Sequence, residues 1–281
     1  MTDSIAAKFA AAQSDPLGYA GRNCVVTGCR SGIGHATARL LIDAGARVHG
    51  LDWQACGLPL AAFTHVDLRD QSSIDRAATQ LDGPVAALFN CAGLAPMHPW
   101  LDVMKVNFIG MRHLTQAVLE NMPPGSAIVS TGSNGGAGWR QNLPDLRDFI
   151  ATDTFEAAAS WCEEHPLPQA NPYGFSKEAI AVWTMHNSAS TIARGVRLNC
   201  TSPGSVQTPM LEEIEQVVPS DRIDIVSQPI GRRSEPVEQA WALLMLNSPR
   251  ATYINGVDLP VDGGFIATRL IAPAQPQRLG D

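Results

Sequence analysis

No apolar run in this chain approaches the ~20 residues that a helix needs to cross a bilayer, and a mean hydropathy of -0.02 is too low for a membrane protein. The alanine-rich start, MTDSIAAKFAAAQSDPLG, is interrupted by Asp3, Lys8 and Gln13 and has no basic head before an apolar stretch, which argues against a secretory signal. Basic excess is missing too: 20 Lys and Arg stand against 27 Asp and Glu, for a net charge of -7. That leaves no electrostatic footprint for nucleic acid, and the charge reads as a solubility device. The six cysteines, Cys24, Cys29, Cys56, Cys91, Cys162 and Cys200, include no CxxC pair and have no histidines at zinc spacing, so no metal site is expected. Several sit inside apolar runs where a thiol acts as a small hydrophobe. The expectation is a reduced, cytoplasmic protein. Internal repeats and low-complexity tracts are absent apart from the alanine-rich leader.

What is present is alternation. The segments NCVVTG, RVHGLD, FTHVD, VAALFN, SAIVST, VRLNCTS and YINGVDLPVDGG have strand character, and helical stretches lie between them near 71–81, 102–121, 173–194 and 236–247. Apolar strands separated by helices predict an α/β fold: a single doubly wound Rossmann-type domain, its parallel sheet covered on both faces. The hydrophobic content of 45% is enough for such a core. The predicted organisation is a leader over 1–20 and one domain over 21–281. Two excursions interrupt the domain, a helical insertion at 135–170 and an apolar-rich segment at 209–232. Both are long for loops on such a scaffold, which suggests lids or contact surfaces.

VVTGCRSGIGHATARLL places Gly28, Gly32 and Gly34, with Ser31 and Ile33, where the first strand turns into the first helix. Glycines there permit positive φ and close approach of a pyrophosphate to helix N–H groups. The spacing is GxxxGxG, so the dinucleotide fingerprint is met in context rather than in letter. Asp52 closes the second strand eighteen residues after Gly34, placed to accept hydrogen bonds from ribose hydroxyls. Its charge would repel a 2′-phosphate: like charges ~4 Å apart cost up to about 4 kcal/mol at an effective dielectric of ~20. That favours NAD, while Arg30 in the glycine turn keeps NADP open. A turn or cap role remains the alternative for Asp52, and Asp67, next to Leu68, either meets adenine or caps a helix.

YGFSK puts Tyr173 and Lys177 on one helix face, four residues apart. A solvated helix pair would satisfy that spacing; so would a phenol made acidic by an ammonium. Using a tyrosine near neutral pH means lowering its pKa by ~3 units, about 4 kcal/mol in favour of the phenolate.

Taken in order, TGCRSGIG, NCAG, Asn107 in KVNFIG, Ser133 in STGSNGG, YGFSK and SPGSVQTPM resemble the short-chain dehydrogenase/reductase family over residues 23–264. Within it the chain is most similar to the hydroxysteroid and coniferyl-alcohol dehydrogenase branch. The resemblance implies Tyr173 as proton-exchanging group and Lys177 as its electrostatic support and ribose contact. It implies Ser133 as hydrogen-bond partner of the substrate oxygen, and Asn107 as the holder of a relay water. It further implies that Asn90, Ala92 and Gly93 flank the adenosine, and that Pro203, Gly204, Val206 and Thr208 hold the carboxamide. Leu94, Met97, Trp139 and Met210 are the candidate substrate-lining residues. Two departures stand out: Ser133 and Tyr173 are forty residues apart, and the segment between NCAG and Asn107 is short.

The activity so implied is NAD-dependent interconversion of a bulky, largely apolar alcohol, steroid-like or phenylpropanoid-like, and its carbonyl, by a homodimer or homotetramer. An NADP-preferring carbonyl reductase and a catalytically silent nucleotide sensor are the alternatives.

Overall fold

The computed structural model describes residues 15–271. Seven strands form one parallel sheet: β1 (Asn23–Thr27), β2 (Arg47–Asp52), β3 (Ala62–His65), β4 (Ala87–Asn90), β5 (Ala127–Thr131), β6 (Arg197–Pro203) and β7 (Asp258–Val261). Their order is β3-β2-β1-β4-β5-β6-β7. Every pairing is parallel, so every crossover runs over a face of the sheet and each face is roofed by helices. The winding reverses between β1 and β4, and that switch point opens a crevice at the carboxyl ends of the strands.

The first crossovers use α1 (Gly32–Asp43) and α2 (Gln71–Thr79). Between β4 and β5 run α3 (Trp100–Met104), a π-helical segment Lys105–Ile109 and α4 (Gly110–Leu119), end to end. The 135–170 insertion carries α5 (Leu143–Ile150), α6 (Phe155–Glu164) and α7 (Pro166–Ala170), and leads into α8 (Pro172–Ala193). The second excursion holds α9 (Pro209–Glu215) and α10 (Ser220–Ile225), followed by α11 (Pro236–Asn247) and α12 (Phe265–Ile271).

Two apolar clusters sandwich the sheet. One unites Val25, Leu88 and Ile128 with Phe108, Leu114, Phe149 and Phe175. The other joins Val26, Phe89 and Val129 to Leu41 of α1 and Leu243 and Leu244 of α11.

The insertion is helical as predicted, but it is not a lid. Phe149, Trp161 and Phe175 pack ring on ring with centroids 5.0 to 5.9 Å apart, and Phe108 adds a fourth ring 5.1 Å from Phe149. This aromatic block seats α5 and α6 against the outer side of α8, facing away from the crevice. Arg112 of α4 is buried beneath it and donates to the carbonyls of Ile150, Thr152 and Thr154, which pins the α5–α6 turn. The insertion therefore became part of the core because it has aromatics to bury.

Residues 1–14 of the predicted leader and 272–281 at the other end lie outside the described residues. The end of the leader that is described, 15–20, is a turn docked on the core. Tyr19 is fully buried, donates to the Leu244 carbonyl at 2.6 Å and packs on Phe89.

Candidate active site

The crevice at the switch point encloses about 690 Å³, within the usual range for small-molecule sites. Its floor at one end is the turn after β1. Gly28 has φ +70° and donates its N–H to Leu51 O, and a Cβ there would stand 2.8 Å from Ala92 N. Only a bare backbone lets the turn after β1 meet the loop after β4 this closely. Thr27 locks the same contact, its hydroxyl accepting from Cys91 N and Ala92 N. Gly34 is buried behind the turn against the Gly28 carbonyl and does not face the crevice. Helix α1 starts at Gly32 behind Ser31, whose side chain makes no capping bond, so its first N–H groups have no side-chain acceptor at the N-cap. An uncapped twelve-residue helix aimed at a crevice suits a phosphate.

Asp52 stands at the end of β2, buried but on the crevice wall, and accepts Arg30 N and Gln54 N at 3.0 Å each. Each carboxylate oxygen is thereby fixed and still has a lone pair for a hydroxyl donor. Arg30 turns its guanidinium toward Ala55 O on the same rim. Asp67 and Leu68 line the crevice beyond it. Arg69 grips Asp67 at 2.7 Å and holds its carboxyl below the usual carboxylate range. Capping of α2 falls to Asp70, not Asp67. A dinucleotide therefore fits the residues present: a glycine turn that a Cβ would block, an uncapped helix start and an oriented carboxylate.

At the other end, Ser133 follows β5 and Tyr173 and Lys177 rise from the first turns of α8. Asn171 caps that helix by accepting Gly174 N at 3.1 Å, and Pro172 fills its first position, where no N–H is needed. Tyr173 and Ser133 both line this end of the crevice, and Lys177 Nζ lies 5.6 Å from the Tyr173 ring centroid. Lys177 donates to Thr131 O at 3.0 Å, leaving two ammonium protons for other acceptors.

Burial dominates the electrostatics of this corner. It pushes the Tyr173 phenol up, against the opposing influence of the Ser133 hydroxyl, and pushes Lys177 down to about 8. The lowering of the phenol expected from the lysine is thus absent, because burial disfavours the charged form of each group.

Asn107 sits in the π-helical turn. Its carboxamide accepts Leu94 N at 2.7 Å and donates to Leu94 O and Ser176 Oγ. The side chain thereby ties the π-helical turn to the loop after β4. A Cβ on Gly93 would come within 3.3 Å of Asn107 Oδ1 and 3.8 Å of Lys177 Nζ, so the bare glycine keeps that corner open.

Ala92, Gly93, Pro203, Gly204, Val206 and Thr208 all line the crevice, as do Leu94 and Met210. Thr208 also caps α9 through Leu211 N. Besides Gly34 and Asn107, three expected residues lie off the crevice wall. Asn90 turns inward, bonding Thr115 and Ser130 beneath the sheet edge. Trp139 packs on the core with the Arg140 guanidinium 4.2 Å from its ring centroid. Met97 is half-buried outside the crevice wall. Asn90 and Trp139 are each captured by groups from other segments before they reach the crevice. Residues the motifs did not single out complete the wall, among them Ala95, Pro96, His98, Glu213 and Ile214. His98 and Glu213 meet at 3.0 Å and bridge the loop after β4 to α9. The only sequence signal for them was proximity to NCAG and SPG.

Residues 22–143 match the family described as short chain dehydrogenase, and 157–266 match that described as Enoyl-(Acyl carrier protein) reductase. The gap between the two matches falls within the insertion. The chain is similar to a coniferyl-alcohol dehydrogenase from a Pseudomonas species, 34% identical over 88% of this chain and 97% of that one. It is also similar to a 3-alpha-hydroxysteroid dehydrogenase/carbonyl reductase from Comamonas testosteroni, 32% identical over 86% and 96% of the respective chains. Among solved structures, a 3-alpha-hydroxysteroid dehydrogenase from a Pseudomonas species complexed with NADH superposes with a TM-score of 0.76. Its identity is 29%, over 90% of this chain and all of the other.

Proposed function

Because the chain belongs to the short-chain dehydrogenase/reductase family, oxidoreductases acting on alcohols and their carbonyls with NAD(P), we propose that it interconverts a bulky, largely apolar alcohol and its carbonyl with NAD(H). The observation that carries the reading is the convergence of Ser133, Tyr173 and Lys177 at one end of a crevice whose other end presents Asp52. A silent nucleotide sensor would have no need of that convergence.

Tyr173 exchanges the proton of the substrate hydroxyl. Ser133 donates to the substrate oxygen, where negative charge develops as the carbon–hydrogen bond breaks. Lys177 favours the phenolate and has ammonium protons to spare for ribose hydroxyls. Asn107 acts at one remove by fixing the Gly93–Leu94 loop. The nicotinamide ring, when bound, accepts or supplies the hydride. Leu94, Ala95, Pro96, Met210 and Ile214 give the substrate end an apolar wall, which supports an aryl-allylic or steroid-like substrate; the names of the relatives point the same way.

The preference for NAD rests on Asp52. Arg30 on the same rim supports the second reading, an NADP-preferring reductase. Cytoplasmic location and assembly as a homodimer or homotetramer belong to the proposal. Six free thiols support the first, and exposed Trp241 and Met245 on α11 with Tyr253 near β7 support the second.

The test is an absorbance screen over steroids, aryl alcohols and small ketones with each cofactor. Turnover of aryl-allylic or steroid alcohols faster with NAD is expected, and Asp52→Ala should lower the NAD/NADP ratio of kcat/KM about tenfold or more. An unchanged ratio would remove Asp52 from its role, and no turnover with any substrate would remove the catalytic reading.

A further inference from the structure

Cys29 lies inside the glycine-rich turn after β1, and Cys56 lies four residues beyond Asp52 in the loop after β2. The Cys56 thiol donates to the Cys29 carbonyl at 3.1 Å, which holds the two cysteines side by side. Cys29 is fully buried, its sulfur tucked against Gly50, where a Cβ would stand 2.7 Å away. Cys56 is half-buried and reaches solvent. The same two segments are stitched by Arg30 N to Asp52 and by the Arg30 guanidinium to Ala55 O. Among the described residues no other cysteine donates a hydrogen bond to a second cysteine.

We propose that Cys29 and Cys56 are a thiol-oxidation site, forming a reversible disulfide that ties the glycine turn to the loop after Asp52. The oxidant is a peroxide. Cys56, the partner open to solvent, attacks one peroxide oxygen; the S–O bond forms as the O–O bond breaks, giving a sulfenic acid and one water. The Cys29 sulfur then attacks the Cys56 sulfur. The S–S bond forms as the S–O bond breaks, and the departing hydroxide leaves as a second water with the Cys29 proton. Two electrons pass from the sulfurs to the peroxide.

Closing the bond brings the sulfurs to ~2 Å. The buried turn cannot move far, so the loop after β2 does, and it carries Trp53 and Gln54 on the crevice wall. Gln54 N is one of the two donors that orient Asp52. Oxidation therefore weakens dinucleotide binding, a consequence that rests on the proposed function, whereas the cross-link itself does not.

The experiment treats the full-length chain with hydrogen peroxide, blocks remaining thiols, digests and weighs the peptides. The expected result is a Cys29–Cys56 linked peptide that disappears with dithiothreitol and is absent from Cys56→Ser, a variant outside the crevice lining that should fold and turn over normally. Both cysteines alkylated after oxidation, or either one joined to a different cysteine, overturns the proposal. Fluorescence titration with NADH should show affinity about tenfold weaker in the cross-linked form. Equal affinity in both forms overturns the coupling to the crevice. Failure of the reduced form to bind NADH overturns the dinucleotide reading instead and leaves the peptide result to judge the cross-link.

Discussion

Tyr173 shows how far one atom can be separated from its setting. Removing its hydroxyl with Tyr173→Phe leaves the ring and α8 in place, so dinucleotide affinity should hold while kcat falls about 10²- to 10⁴-fold. Lys177 offers a sharper test, because its ordinary value is 10.5 and burial lowers it to about 8. The folded chain thus binds that proton more weakly than the unfolded chain. Below pH 8 both states are protonated and the buried charge costs stability in full. Between about 8 and 10.5 the folded state gives up its proton first, and the cost is relieved. Lys177→Met should accordingly raise the stability of the ligand-free protein at pH 7 by about 1 to 3 kcal/mol, for a shift worth roughly 3 kcal/mol at most, while abolishing turnover. Urea titrations of both proteins across that window should show the advantage shrinking as pH rises. An advantage that is flat with pH would mean that Lys177 is not the titrating group.

At the level of elements, the insertion is the part most exposed to mutation. Arg112 donates to the Ile150, Thr152 and Thr154 carbonyls from a buried position, so Arg112→Ala leaves three acceptors short of a donor as well as a hole. A loss of about 2 to 4 kcal/mol is expected, read as a lower urea midpoint at unchanged slope. The strands and the long crossover helices were legible in the sequence because period and apolarity were strong, as in NCVVT and SAIVST. The insertion's length was legible but its destination was not: Phe149 and Trp161 look alike on a lid or in a core until Phe175 and Phe108 are seen opposite them. Capture by distant segments explains the other divergences. Asn90, Trp139 and Tyr19 each find a partner contributed by a distant segment, Thr115 for the first, the core for the second and Leu244 for the third. Thr27, which fastens the loop after β4, carried no signal beyond its place at the end of a strand.

Across the whole molecule, the crevice joins segments from nearly every crossover, so occupancy should be felt globally. A dinucleotide at about 100 times its Kd adds about 2.7 kcal/mol to stability, which for a chain of this size corresponds to a rise in Tm of roughly 5 to 10 °C. A thermal scan with NADH should show that rise, and NADPH at equal concentration should show a smaller one if Asp52 sets the preference.

The backbone of Gly136 comes so near the start of α8 that a Cβ there would stand 2.7 Å from the Lys177 carbonyl carbon and 2.9 Å from Glu178 N. The chain thus leaves Ser133 and returns to Tyr173 through a single doorway, and the excursion between them adds nothing to their separation. The spacing of Ser133 and Tyr173 is insulated from the length of chain inserted at this point. Lineages could trim, extend or restyle the appendage, and with it the outer face of the protein, without retuning the chemistry inside.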